Sequence, residues 1–109
     1  MSKLAILATA LAAHLGFLLP AAAQSADPAI GRNLAETSCS ACHRIDAASP
    51  PKIANLDAPS FLDISRMPST TELAIKVFLR TSHNSMPNFI LSPEEIDSVA
   101  AYIVGLTKK

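Results

Sequence analysis

The stretch Cys39-Ser40-Ala41-Cys42-His43 contains both cysteines of the 109-residue chain. A thiol redox pair with this spacing is expected at a helix start within a βαβ unit, and no such pattern occurs here. A zinc site would need further ligands, for which the chain offers His83 and no second C-x-x-C pair. A disulfide would close a very short loop and would constrain the unfolded chain little.

The histidine directly after the second cysteine indicates a different use of the pair, which is covalent attachment of haem. The thiols of Cys39 and Cys42 can add across the two vinyl groups of one haem. The imidazole of His43 then lies close enough to reach the iron. We therefore expect one covalent haem c per chain, attached at Cys39 and Cys42, with His43 as an iron ligand.

Met86 is the residue that we expect to be the second axial ligand. It lies 43 residues after His43, between two expected helices, and Pro87 stiffens this segment. Met67 follows His43 by 24 residues, which leaves little chain to wrap a haem. His83 is more typical of a solvated loop, and both residues remain alternatives.

Residues 1–23 have the three-part layout of a secretory signal peptide. Lys3 precedes a long apolar run, and three alanines ending at Ala23 provide a cleavage site before Gln24. The run is shorter than the roughly 20 apolar residues that a membrane-spanning helix prefers. We expect residues 24–109 to form the mature domain, located in the periplasm and not inserted in the membrane after cleavage.

The composition of the mature domain restricts its partners. It carries 8 Lys and Arg against 9 Asp and Glu, with no basic patch suited to nucleic acid. A nearly neutral protein is only weakly steered toward its partners by long-range fields. The domain is small and has no tryptophan, so a cofactor is expected to complete its core.

Helix signals assign the mature chain to the all-α class, with three main helices and one short helix separated by proline-rich loops. The expected helices run from Pro28 to about Ser38, from Ser60 to about Arg66, from a Ser69–Glu72 capping box to about Thr81, and from a Ser92–Glu95 capping box onward. Apolar residues at helical spacing follow in the last two, namely Leu73, Ala74, Val77 and Phe78, then Ile96, Val99, Ala100, Ile103 and Leu106.

Over residues 27–109 the sequence resembles class I mono-haem cytochromes c of the small bacterial periplasmic type. The resemblance is carried by the C-x-x-C-H motif, Gly31, Ala58-Pro59-Ser60-Phe61, Met86-Pro87 and Tyr102. It implies a small cytochrome c fold around one haem, with His43 and Met86 as axial ligands. It also implies that Gly31 lets the first helix cross the last near Tyr102, and that the Pro59 carbonyl accepts a hydrogen bond from His43.

The expected function is that of a single-electron carrier, not an enzyme, that exchanges electrons with a redox protein donor and acceptor. The haem would be buried among Leu34, Ile53, Leu56, Phe61, Val77, Phe78, Ile96 and Val99. The partner-facing rim would comprise Ala41, Ile45, Pro87, Phe89 and Ile90, with Arg44 and Lys52 nearby.

Two alternatives to the free carrier remain. Instead of a monomeric carrier, the protein could be the haem subunit of a periplasmic dehydrogenase or oxidase complex. It could instead be a haem peroxidase or gas-binding protein, which requires that Met86 does not bind the iron.

Overall fold

The computed structural model describes residues 25–53, 57–81 and 85–108. The predicted signal peptide, Leu56 and His83 lie outside these ranges. The described chain forms helix α1 (Pro28–Leu34), a π-helix (Ala35–Cys39), α2 (Phe61–Arg66), α3 (Glu72–Leu79) and α4 (Pro93–Gly105). No strand occurs in the described ranges, so the all-α expectation is confirmed. None of the helices described there has the length and apolar character needed to cross a membrane.

Helix α1 begins where the sequence predicts. The Asp27 carboxylate accepts a hydrogen bond from the Ala29 amide at 2.8 Å, and Pro28 occupies the first helical turn. After Leu34 the helical segment continues as a π-helix, in which hydrogen bonds join residues five apart instead of four. The Ser40 amide donates to the Ala35 carbonyl in this way at 2.9 Å. This π-helix brings the helical segment to Cys39, the first cysteine of the motif.

The other helix starts confirm two of three predicted caps. At α2, Ser60 Oγ accepts from the Asp63 amide at 3.0 Å. At α4, the capping box is reciprocal, because Ser92 Oγ accepts from the Glu95 amide at 3.2 Å while Glu95 accepts from the Ser92 amide at 2.7 Å.

The capping box predicted at Ser69–Glu72 is wrong. The cap of α3 is Thr71, whose Oγ1 accepts from the Ala74 amide at 3.0 Å. The neighbouring hydroxyl of Thr70 donates instead to the Ile64 carbonyl at 2.6 Å. Three consecutive hydroxyl residues were available, and the contact with α2 engages the middle one, Thr70.

The α1–α4 crossing depends on Gly31. A Cβ atom at this position would overlap the Ser98 carbonyl and would lie 2.9 Å from the Val99 amide nitrogen. The Asp27 amide donates to Ser98 Oγ at 3.2 Å and ties the two helices at the same place. The expected close approach is confirmed, but it lies about one helical turn before Tyr102.

The core lies between α4 and the rest of the chain. Ile96, Val99, Ala100 and Ile103 of α4 are buried as predicted, and Leu106 packs at the edge of the cluster. The buried residue of α3 is Ile75, which the sequence pattern did not single out. The outer face of α3, defined by Leu73, Val77 and Phe78, is 71%, 53% and 58% exposed.

Candidate haem site

The two cysteines stand on one tight turn at the end of the π-helix. The Cys39 carbonyl accepts from the Cys42 amide at 3.1 Å and from the His43 amide at 2.9 Å. Both side chains are partly buried and both thiols are free. The turn therefore presents two thiols and one imidazole from a single short stretch of backbone.

Burial, and to a smaller extent the proximity of Cys42, raise the pKa of the Cys39 thiol to about 11. Thiol oxidoreductases depend on the opposite shift, since a lowered pKa is what makes the attacking cysteine a thiolate. The environment of Cys39 therefore does not fit a thiol redox pair. No three His, Cys, Asp or Glu side chains within the described ranges are grouped so that they could hold a metal ion such as zinc.

The imidazole of His43 is oriented by the chain itself. Its Nδ1 lies 2.7 Å from the Pro59 carbonyl oxygen. Because a carbonyl can only accept, Nδ1 carries a proton, so in the neutral imidazole the lone pair lies on Nε2. The predicted hydrogen bond to Pro59 is confirmed, and the free nitrogen is the one that an iron ligand requires.

The loop after the motif folds back onto it. The Lys52 and Ile53 amides donate to the carbonyls of Ser40 and Ala41 at 3.2 and 2.9 Å. Near the start of the loop, Asp46 accepts from the Ser49 amide at 2.7 Å, which is the main reason why the pKa of this carboxyl lies below its ordinary value. These bonds give the loop a defined path beside the cysteines.

Aromatic rings continue from His43 into the core. The centroids of the His43 and Phe61 rings are 5.5 Å apart, and those of Phe61 and Tyr102 are 6.4 Å apart in an edge arrangement. The Tyr102 hydroxyl donates to the Ile45 carbonyl at 3.0 Å. Sequence reasoning placed Phe61 among the haem contacts and missed its contact with His43, which depends on how separate segments pack.

Ile45 was expected on the partner-facing rim, and this prediction is wrong. The side chain is 1% exposed and belongs to the hydrophobic core, beneath the loop that Tyr102 holds. The Ile45 backbone carbonyl accepts the hydrogen bond from the Tyr102 hydroxyl. Of the other predicted rim residues, Ala41 is partly buried, whereas Pro87, Phe89 and Ile90 are exposed. Arg44 and Lys52, which were expected near the rim, are also exposed.

Met86 is partly buried and lies in the irregular segment that leads into α4. Met67 directly follows α2, where its side chain is 45% exposed. Downstream of Met86, Phe89 is 40% exposed and Ile90 fully exposed. Ligation by Met86 stays a prediction.

Most of the described apolar residues that were expected to contact a haem fall into two groups, while Leu34 is partly buried against the core. Phe61, Ile96 and Val99 are already buried in the protein core. The others are about half exposed, with Ile53 at 49% and, on α3, Val77 at 53% and Phe78 at 58%. Free thiols, an imidazole with an available Nε2 and exposed apolar side chains form a donor set and a surface that fit a covalently bound haem.

A small all-α domain with these donors is typical of proteins that carry a covalent haem. Residues 28–107 match the Cytochrome c family, and the chain belongs to this family. Membership implies haem-based electron transfer with redox partners, and it indicates an electron carrier rather than an enzyme. Neither the search of curated proteins nor the search of solved structures returned a match.

Proposed function

We propose that the mature protein is a periplasmic single-electron carrier, with one haem c attached at Cys39 and Cys42 and ligated by His43 and Met86. The observation that carries this proposal is the 2.7 Å contact between His43 Nδ1 and the Pro59 carbonyl, on the same turn as two free thiols. We infer export from the apolar segment that ends near Ala23. Export would bring the chain to the compartment where haem is attached to such motifs.

Each residue has a separate task in this mechanism. The haem supplies a one-electron couple between ferrous and ferric iron. Cys39 and Cys42 hold the group to the chain, while the Pro59 carbonyl fixes the tautomer of His43 and increases the basicity of Nε2. The soft thioether of Met86, once bound to the iron, would favour the reduced state and raise the potential. With His43 and Met86 both bound, the iron would have no site left for dioxygen or peroxide.

A stable redox complex is the second candidate function. It is favoured by Phe89 and Ile90, two consecutive apolar residues that are exposed just after the Met86-Pro87 pair. Such a patch beside a redox centre suits a permanent partner. Elution of the native protein with a large partner in gel filtration supports the complex, and elution at the size of one domain supports the free carrier.

Substitution of Met86 tests the ligand set. In Met86→Ala, we expect loss of the weak far-red band that marks methionine–iron bonding in ferric protein, rapid CO binding by ferrous protein, and a fall in midpoint potential of about 0.2 V within the roughly 0.8 V range open to axial ligands.

Met67→Ala is the matched control and should keep the band and the potential, because Met67 is half exposed at the end of α2. Loss of the band in Met67→Ala, or its absence from wild type, would contradict ligation by Met86. An exported wild-type protein that is colourless, with no mass beyond its residues, would refute the haem itself.

A further inference from the structure

Three consecutive residues after the second cysteine are each held by a different contact. His43 is held through Nδ1 by the Pro59 carbonyl at 2.7 Å. The Arg44 carbonyl accepts from the Phe61 amide at 2.9 Å. The Ile45 carbonyl accepts from the Tyr102 hydroxyl at 3.0 Å. Two of these partners are also in ring contact, since the Phe61 ring packs against the His43 imidazole and the Tyr102 ring packs against Phe61.

The hydrogen bond to Pro59 does not by itself define the plane of the imidazole. Rotation about the last side-chain bond of histidine has broad minima, so one bond at Nδ1 permits a range of ring tilts. The Phe61 ring contacts the imidazole at 5.5 Å with an interplanar angle of 48° and supplies a second point of contact. The hydrogen bond at Nδ1 and the contact with the Phe61 ring together restrict the tilt of the imidazole.

Phe61 is itself held in place. It is 4% exposed, its amide is bonded to Arg44, and the Tyr102 ring meets it at 6.4 Å with an interplanar angle of 61°. Tyr102 in turn is fixed through its hydroxyl to Ile45, only two residues from His43. The contacts therefore form a closed circuit that runs from His43 through Phe61 and Tyr102 back to the chain beside His43.

We propose that Phe61 and Tyr102 form a ring clamp that sets the plane of the His43 imidazole, with both acting as positioning residues for the iron ligand. This inference rests on the proposed function, since it requires His43 to bind iron. The plane of an axial imidazole governs its overlap with the iron orbitals, so contacts to the ring tune the metal through its ligand. The clamp also links the last helix, α4, to that ligand.

Proton NMR of the ferric holoprotein tests the clamp, because hyperfine-shifted haem methyl resonances report the orientation of the axial ligand planes. Phe61→Leu removes the ring next to His43 and should change the order and spread of these resonances. Tyr102→Phe keeps both rings and removes the hydrogen bond to Ile45, so it should change the haem methyl resonances less than Phe61→Leu does. Restoration of the native pattern in Phe61→Tyr, which returns a ring to the site, is the expected rescue.

Ile103→Ala is the control, because Ile103 is buried in the same core and has no ring to offer His43. It should lower the melting temperature and leave the resonance pattern unchanged. A native pattern in both Phe61→Leu and Tyr102→Phe, or an equal change in Ile103→Ala, would overturn the clamp. If Phe61→Leu yields no holoprotein, Tyr102→Phe decides. Wild type without haem, or without hyperfine-shifted His43 ring protons, refutes the proposed function instead.

Discussion

The α1–α4 crossing and the outer face of α3 differ in what completes them. At the crossing, Gly31 lies against the backbone of Ser98 and Val99, and the contact is made by protein alone. On the outer face of α3, Leu73, Val77 and Phe78 are each more than half exposed. Apolar side chains grouped on one exposed helix face indicate a binding surface. The α1–α4 crossing therefore packs by itself, whereas the outer face of α3 is suited to a bound group.

The largest effect is expected when the cysteines are removed. A Cys39→Ala/Cys42→Ala protein should lack haem and show no cooperative thermal transition by circular dichroism. This corresponds to the loss of essentially the whole free energy of unfolding, which is about 5–15 kcal/mol for a typical domain. The reason is that a domain of this size buries too little apolar surface without its cofactor.

Ser40→Ala, between the two cysteines, is the matched control for the double variant. It removes the bond from Ser40 Oγ to the Glu36 carbonyl at 2.6 Å and should retain haem and a cooperative melt. A double variant that melts cooperatively at a temperature close to that of the holoprotein would show that the crossing and its core are enough to fold the domain. It would contradict the need for a bound group at the outer face of α3.

A smaller effect is expected at the crossing. Gly31→Ala should lower the free energy of unfolding of the holoprotein by about 2–3 kcal/mol, because the new methyl group meets backbone atoms of Ser98 that cannot move aside without shifting α4. Denaturant unfolding measures the change.

Gly105→Ala is the control for this substitution, since no atom lies within 4 Å of a Cβ built there. It should be neutral or stabilise the protein by up to about 1 kcal/mol, through helix propensity. Equal effects at the two glycines would mean that the helices can separate at the crossing without cost.

The smallest effect is expected on the outer face of α3. Val77→Thr keeps the shape of the side chain and replaces a methyl group by a hydroxyl. If a haem covers this face, the substitution should destabilise the holoprotein by about 1 kcal/mol in denaturant unfolding, although Val77 is 53% exposed in the chain alone.

Ile30→Thr provides a control at equal exposure, because Ile30 is also 53% exposed and lies on α1. Its effect should stay within about 0.5 kcal/mol, as is usual for surface positions. If Val77→Thr costs no more than Ile30→Thr, the outer face of α3 is ordinary solvent-exposed surface.

Local features of the fold were predictable because their causes span few residues. The caps at Asp27, Ser60 and Ser92 each involve bonds that reach two or three residues ahead, so the sequence nearby contains both partners. The cap of α3 was assigned wrongly, since Thr71 caps the helix instead of Ser69, and Thr70 between them donates to the Ile64 carbonyl, six residues back in α2. Where the competing partner lies in another helix, a local pattern cannot rank the candidates.

The same limit applies to the candidate site. Cys39, Cys42 and His43 follow from a five-residue motif, and the Pro59 contact follows from a family resemblance. Ile45 is buried and hydrogen-bonded to Tyr102, which lies 57 residues later in the chain, and Phe61 packs between His43 and Tyr102. No periodicity or spacing near the motif contains this information.

The amino-acid sequence alone determined the all-α class and most helix starts and predicted the attachment motif, because motif spacing and hydrogen bonds to nearby amides act over short stretches of chain. Only the tertiary structure decided where α1 meets α4, which residue of α3 enters the core, and which rings restrain the His43 imidazole. These features come from close packing between segments distant in sequence, where the fit of whole surfaces selects the contacts.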